Sequence, residues 1–151
     1  MAALSLPFPE LLAKSPPQST LHTPSPFDQS PSKKRFSVLV VDDEALIADT
    51  LVEILNDSGF DAIARYDGET ALEQVDELCP AAMVTDVIMP GLNGVELAKA
   101  VRDKCADTRI FLLSGQAASA ELIQDARADG YSFELLAKPL HPTVLLKKLT
   151  G

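Results

Sequence analysis

The stretch SVLVVDDEAL, residues 37–46, drives four apolar residues straight into three acidic ones. Val38, Leu39, Val40 and Val41 have the length and β-branched character of a buried strand. Asp42, Asp43 and Glu44 then follow without a spacer. Neighbouring carboxylates at the mouth of a core repel one another by about 1 kcal/mol in water and about 4 kcal/mol at an effective dielectric of 20. A folded domain that places them there must offset that repulsion.

The same strand-like shape recurs along the chain. DAIARY (61–66), AAMVTD (81–86), IFLLS (110–114) and FELLAK (133–138) are short apolar runs, each separated from the next by an amphipathic stretch of helical period. Ile47, Leu51, Ile54 and Leu55 mark the first helix, with Gly59 just past its end. Leu72, Val75 and Leu78 mark the second, with Asp67 as N-cap. Asn93 and Glu96 form a capping box for the third, which carries Val95, Ala98 and Val101. Leu122, Ile123 and Ala126 serve the fourth. Pro142 opens a short fifth with Leu145, Leu146 and Leu149. Five βα units with nearly all-apolar strands predict an α/β domain with a parallel, doubly wound, flavodoxin-like sheet covered on both faces. The leading strand order is 2-1-3-4-5.

That order places the carboxyl ends of strands one and three side by side. Asp42 and Asp43 leave strand one, Asp86 ends strand three, Ser114 ends strand four and Lys138 ends strand five. Taken singly, each has a plain structural explanation. An acidic residue after a strand is usually a helix N-cap favoured by the dipole, which is the role expected of Glu44. Their joint arrival at one sheet edge points to a site.

Charge and composition divide the chain of 151 residues in two. Residues 1–35 hold seven of the eleven prolines, none of the glycines and a net charge of +2, while residues 36–151 carry −11. The first region is expected to be a disordered Pro/Ser-rich arm, with Thr23, Ser25 and Ser30 before prolines as formal kinase sites. The acidic body does not suit nucleic acid, whose affinity rests on Lys and Arg displacing counterions. A divalent cation is the better ligand. No apolar run approaches the ~18 residues of a membrane span. The first apolar stretch is broken by Pro7 and Pro9 and lacks a basic leader, so a secretory signal is disfavoured, and one Lys without Arg in the first 30 residues gives little support to a transit peptide. Cys79 and Cys105 form no motif and are expected to be reduced, partly buried thiols of a cytoplasmic protein.

VLVVDDE at 38–44, TDVIMPGLNG at 85–94, LLSG at 112–115 and LLAKP at 135–139 together resemble the receiver domain of two-component response regulators, over roughly residues 36–151. The resemblance implies that Asp86 accepts a phosphoryl group from a phosphohistidine on a sensor histidine kinase or histidine phosphotransfer protein. It implies Mg2+ held by Asp43, Asp86 and the Ile88 backbone carbonyl, with Asp42 acting through a water. Lys138 and the Ser114 hydroxyl would each meet a phosphate oxygen, and Lys138-Pro139 would be cis. Receivers usually carry a Tyr or Phe three residues before the Lys-Pro pair. Leu135 stands there instead, so the substitute in the switch is expected to be either Phe133, on the same strand face, or Tyr131, two residues further back, with Phe133 reorienting on phosphorylation as the working expectation.

A chain that stops at Gly151 leads to the expectation of a stand-alone receiver without its own output domain, and the short last helix to that of either a natural end exposing part of the neighbouring helix or a partner docked there. Such a module is not an enzyme beyond its self-catalysed phosphotransfer and autodephosphorylation. Its downstream partner is expected on the face formed by helix four, strand five and helix five. Three other functions are weaker. A haloacid-dehalogenase-like phosphatase wants two aspartates spaced by one residue after strand one, which Asp42-Asp43-Glu44 does not supply. Flavin-nucleotide binding wants a neutral or cationic phosphate cradle. A phosphorylation-independent interaction module has no need for Asp43, Asp86, Ser114 and Lys138 together.

Overall fold

The computed structural model describes residues 35–115 and 117–151. The arm expected over residues 1–35, with its three proline-directed positions, lies outside the described residues apart from Arg35. Within them five strands alternate with five helices: β1 (Ser37–Val41), α1 (Ala45–Asp57), β2 (Asp61–Arg65), α2 (Gly68–Glu77), β3 (Ala82–Asp86), α3 (Gly94–Lys104), β4 (Arg109–Ser114), α4 (Ala117–Ala128), β5 (Glu134–Ala137) and α5 (Pro142–Thr150). The strands form one parallel sheet in the order β2-β1-β3-β4-β5. Strand and helix order and sheet topology agree with the sequence reading.

The pleat sends alternate side chains to opposite faces, and each face has its own helices. Leu39 and Val41 of β1 and Ile110 and Leu112 of β4 pack with Val75, Val101 and Ile123 from α2, α3 and α4. Val38, Val40, Phe111 and Leu113 point the other way, onto Leu51 and Leu55 of α1 and Leu145 and Leu149 of α5. Fully burying such a side chain is worth about 1.5–3 kcal/mol, so apolar burial on both faces holds the sheet between its two helix layers. Register fixes the site: Val41 pairs with Thr85, so Asp42 and Asp86 leave the sheet next to each other.

The caps behave as expected. Asp67 accepts from the Thr70 amide at 2.7 Å, and Asn93 and Glu96 complete a reciprocal box. Two helix faces are rotated from the reading above. In α1 the buried stripe is Ala48, Leu51 and Leu55, spaced i, i+3, i+7, which leaves Ile47 turned toward solvent. In α2 it is Ala71 and Val75, and Leu78, an extended C-cap residue, is 70% exposed. The counted periodicity was satisfied by more than one phase, and packing on the sheet selected the other.

The cysteines require a correction. They are not separate thiols but a disulfide joining Cys79 to Cys105, with Cα atoms 5.8 Å apart. The reason is tertiary. α2 and α3 pack side by side and end together, Cys79 one residue beyond the α2 C-cap and Cys105 at the C-cap of α3. A Lys104–Asp76 ion pair crosses between the same two helices. The bond closes a loop holding all of β3 and α3, for which chain-entropy arguments give about 3.5 kcal/mol.

Candidate functional site

Asp42 is wholly buried (0% exposed) and Asp86 nearly so (8%), while Asp43 reaches solvent. One carboxylate oxygen from each of the three lies within 4.8 Å of the others. At that separation each ionised pair costs roughly 3 kcal/mol at an effective dielectric of 20. Lys138, arriving from the end of β5, supplies the only counter-charge in the site among the described residues: its Nζ is 3.2 Å from Asp86 Oδ2 and 3.9 Å from Asp42 Oδ2. One positive charge faces three negative ones.

Asp42 shows the strain of that imbalance. Its Oδ1 accepts the Glu44 amide at 2.9 Å. Its Oδ2 is buried without a hydrogen-bond partner among the described residues, an arrangement that is costly unless a cation completes it. Burial first, and the neighbouring Asp86 charge after it, hold the Asp42 carboxyl above the ordinary aspartate range, against the lowering pull of the Glu44 amide and Lys138. Glu44 is the N-cap residue of α1, but its side chain makes no capping hydrogen bond. It lines the cleft instead.

The loop after β3 is held from several sides. The Thr85 hydroxyl donates to the Asp86 carbonyl at 3.0 Å, and the Gly94 amide donates to the Val87 carbonyl at 2.8 Å. A Cβ on Gly94 would stand 1.9 Å from the Asp86 carbonyl oxygen, so glycine is required for that approach. Further along, Glu69 at the start of α2 accepts the Leu92 amide at 3.0 Å. Ile88 lines the same cleft of about 210 Å3 as Asp43, Asp86 and Lys138.

Ser114 pairs with Ala137 across β4 and β5, and its carbonyl accepts the Lys138 amide at 3.2 Å. Its hydroxyl lies 2.5 Å from that of Ser119. Ser119 is buried on α4 and lines the acidic cleft. The sequence reading missed it, although a signal was there: Ser119 is four residues before Ile123 and seven before Ala126, a polar residue on the apolar stripe. The Lys138-Pro139 bond is cis.

Phe133 is not brought to this site. It precedes β5, four residues before the Ala137 that faces Ser114, a distance of roughly 13 Å at strand rise. There it stacks on Tyr131 at 5.9 Å with the Arg102 guanidinium over its face. Leu135 is nearer, paired with Leu112 and half exposed. A second, larger and mainly apolar groove of about 680 Å3 adjoins the acidic cleft, sharing Glu44, Leu113, Gly115 and Lys138 with it. Leu46 on its rim is 79% exposed.

The family model for the response regulator receiver domain matches residues 38–150. The chain belongs to the receiver family. Receiver domains are the regulatory modules of two-component systems. The domain is 31% identical over 117 residues to the DNA-binding response regulator MtrA of Mycobacterium tuberculosis, covering 76% of this chain and 49% of the relative. It is 33% identical over 114 residues to the response regulator MprA of Mycobacterium ulcerans, covering 74% and 47%. The chain thus spans about half the length of the curated relatives it matches. Among solved structures, the chemotaxis protein CheY4 of Vibrio cholerae is similar at TM-score 0.68 and 33% identity, covering 77% of this chain and 97% of that one. The response regulator TrrA of Thermotoga maritima, solved in complex with Mg(2+)-BeF, is similar at TM-score 0.65 and 29% identity, with 76% and 96% covered. No helix among the described residues is long and apolar enough to cross a membrane.

Proposed function

We propose that this receiver is switched by phosphorylation of Asp86, within a two-component system or phosphorelay. The observation that carries the reading is the convergence of Asp42, Asp43 and Asp86 on Lys138 at one sheet edge. The Asp86 carboxylate attacks the phosphorus of a phosphohistidine, the new O–P bond forms as the N–P bond breaks, and the imidazole nitrogen leaves with the electron pair and takes up a proton. Such transfers depend chiefly on positioning and charge neutralisation. Lys138 supports both, because it already contacts an Asp86 oxygen. Ser114 offers a hydroxyl to the transferred group once it turns from Ser119.

The donor set is all oxygen, and one buried oxygen, Asp42 Oδ2, has no hydrogen-bond partner among the described residues, which fits a hard cation. Asp43, Asp86 and the Ile88 carbonyl would hold Mg2+ directly and Asp42 through a water. Bound there, the ion supplies neutralisation of carboxylate and phosphoryl charge.

The proposed boundaries are an arm over residues 1–35 and a receiver over 36–151, in a cytoplasmic protein. The groove beside Leu46 and Ile47 suits a helix of the phosphohistidine partner, since it opens directly onto the acidic cleft. The downstream partner is assigned to the α4–β5–α5 face, where Leu135 and Val144 are exposed. Ser114 and Leu135 are retained as switch residues.

The test is a backbone-amide NMR titration with Mg2+ and beryllofluoride, an acyl-phosphate mimic. Signals from residues 86–94, Ser114 and Lys138 should move when both are added. A spectrum that the combination leaves unchanged contradicts the reading.

A further inference from the structure

The Cys79–Cys105 bond has two unequal ends. Cys79 is exposed, whereas Cys105 is 5% exposed and packed into the core between α3 and the sheet. An incoming thiolate therefore has its approach from the Cys79 side of the bond, and access is one of the factors that set which sulfur is attacked in thiol–disulfide exchange. Leu78 and Pro80, the chain neighbours of Cys79, border a small, mainly apolar notch together with Ile63.

The bond also lies at a mechanical junction. α2 is tied at its first turn to the loop after β3, through Glu69 and the Leu92 amide. Beyond its last turn it is tied to α3 by the disulfide. Between those two ties runs the segment that carries Asp86.

We propose that the Cys79–Cys105 disulfide is a second covalent-modification site, opened by thiolate attack on Cys79, and that opening it loosens the β3–α3 unit carrying Asp86. The step balances with a dithiol reductant. Its first thiolate forms a bond to the Cys79 sulfur as the Cys79–Cys105 bond breaks, and the electron pair leaves with the Cys105 sulfur, which takes up a proton. The second thiolate then attacks its neighbour in the mixed disulfide and releases Cys79 as a thiol. The reductant departs as a disulfide, two electrons poorer.

Two measurements on the oxidised full chain, without denaturant, test the proposal. The first traps the mixed disulfide with a Cys-x-x-Cys oxidoreductase whose second cysteine is replaced by serine, alongside a glutathione arm, and maps the adduct. An adduct on Cys79 in both arms supports a site open to any thiolate, and one in the protein arm alone supports a site read by a protein dithiol. An adduct on Cys105, or none until denaturant is added, overturns it. The second compares amide hydrogen exchange over residues 86–94 in the oxidised and reduced chains, expected to rise about tenfold on reduction. Unchanged exchange overturns the coupling to the β3–α3 unit. Neither readout involves phosphoryl transfer, so the outcome is independent of the function proposed above.

Discussion

Lys138 Nζ stands 3.2 Å from Asp86 Oδ2 and 3.9 Å from Asp42 Oδ2, so the one ammonium in the acidic cleft among the described residues sits closer to Asp86 than to the more deeply buried Asp42. Lys138→Met leaves the Asp86 carboxylate beside two others without a counter-charge. The variant is expected to lose about 1–3 kcal/mol of stability in chelator. Much of the loss should return when Mg2+ replaces the missing charge. Urea denaturation with and without Mg2+ measures both. Equal losses in the two conditions would separate Lys138 from the cation site.

Asp42 contributes a pH dependence to the stability of the metal-free protein. Burial raises its folded-state pKa above that of the unfolded chain, so the native state holds this proton more tightly. Its favourable contribution is complete below the unfolded value and is lost as pH climbs through the raised folded value. Asp42→Asn, which cannot ionise, should make the metal-free protein more stable near neutral pH, by about 1–2 kcal/mol. It should also flatten the fall in stability on the alkaline side of that window. Thermal melts in chelator across the acidic-to-neutral range provide the check.

Gly94 is a steric requirement of the site. Because a Cβ there would reach 1.9 Å from the Asp86 carbonyl oxygen, Gly94→Ala must displace backbone. A cost of about 2 kcal/mol or more is expected, with weaker Mg2+ binding from the shifted Asp86. Calorimetric titration of Mg2+ against the variant reads the second effect even where the first is partly absorbed.

Ser114 and Ser119 should be energetically coupled. A double-mutant cycle with alanine at each position is expected to give about 1 kcal/mol of interaction in the metal-free protein. With Mg2+ and beryllofluoride present, the coupling should fall toward zero as Ser114 turns to the mimic. A coupling that persists unchanged would mean that the pair is structural only.

The disulfide should contribute measurably to stability. Replacing both Cys79 and Cys105 with serine is expected to lower unfolding free energy by about 3 kcal/mol. The same denaturation midpoint for the oxidised protein and the variant would contradict this.

What was legible in the sequence is what depends on short-range pattern. Apolar runs of strand length, the Asp67 and Asn93 caps and the acidic end of β1 are local signals, and together they are enough for element order and sheet topology. The aspartates, Ser114 and Lys138 were legible for the same reason, because parallel strands bring their carboxyl ends to one edge whatever the side chains do afterwards. The remainder depends on packing. Cys79 and Cys105 are 26 residues apart and meet only because α2 and α3 end at the same level. Ile47 and Leu78 face solvent because helix phase is chosen by the sheet. Phe133 shares a face with Leu135 in period, but distance along the strand removes it from Ser114.

The most direct measurement is intact mass after incubation with acetyl phosphate and Mg2+. The account predicts a gain of one phosphoryl group, abolished by chelation and absent from Asp86→Ala. An unmodified wild-type chain, or a label that survives Asp86→Ala, would contradict it.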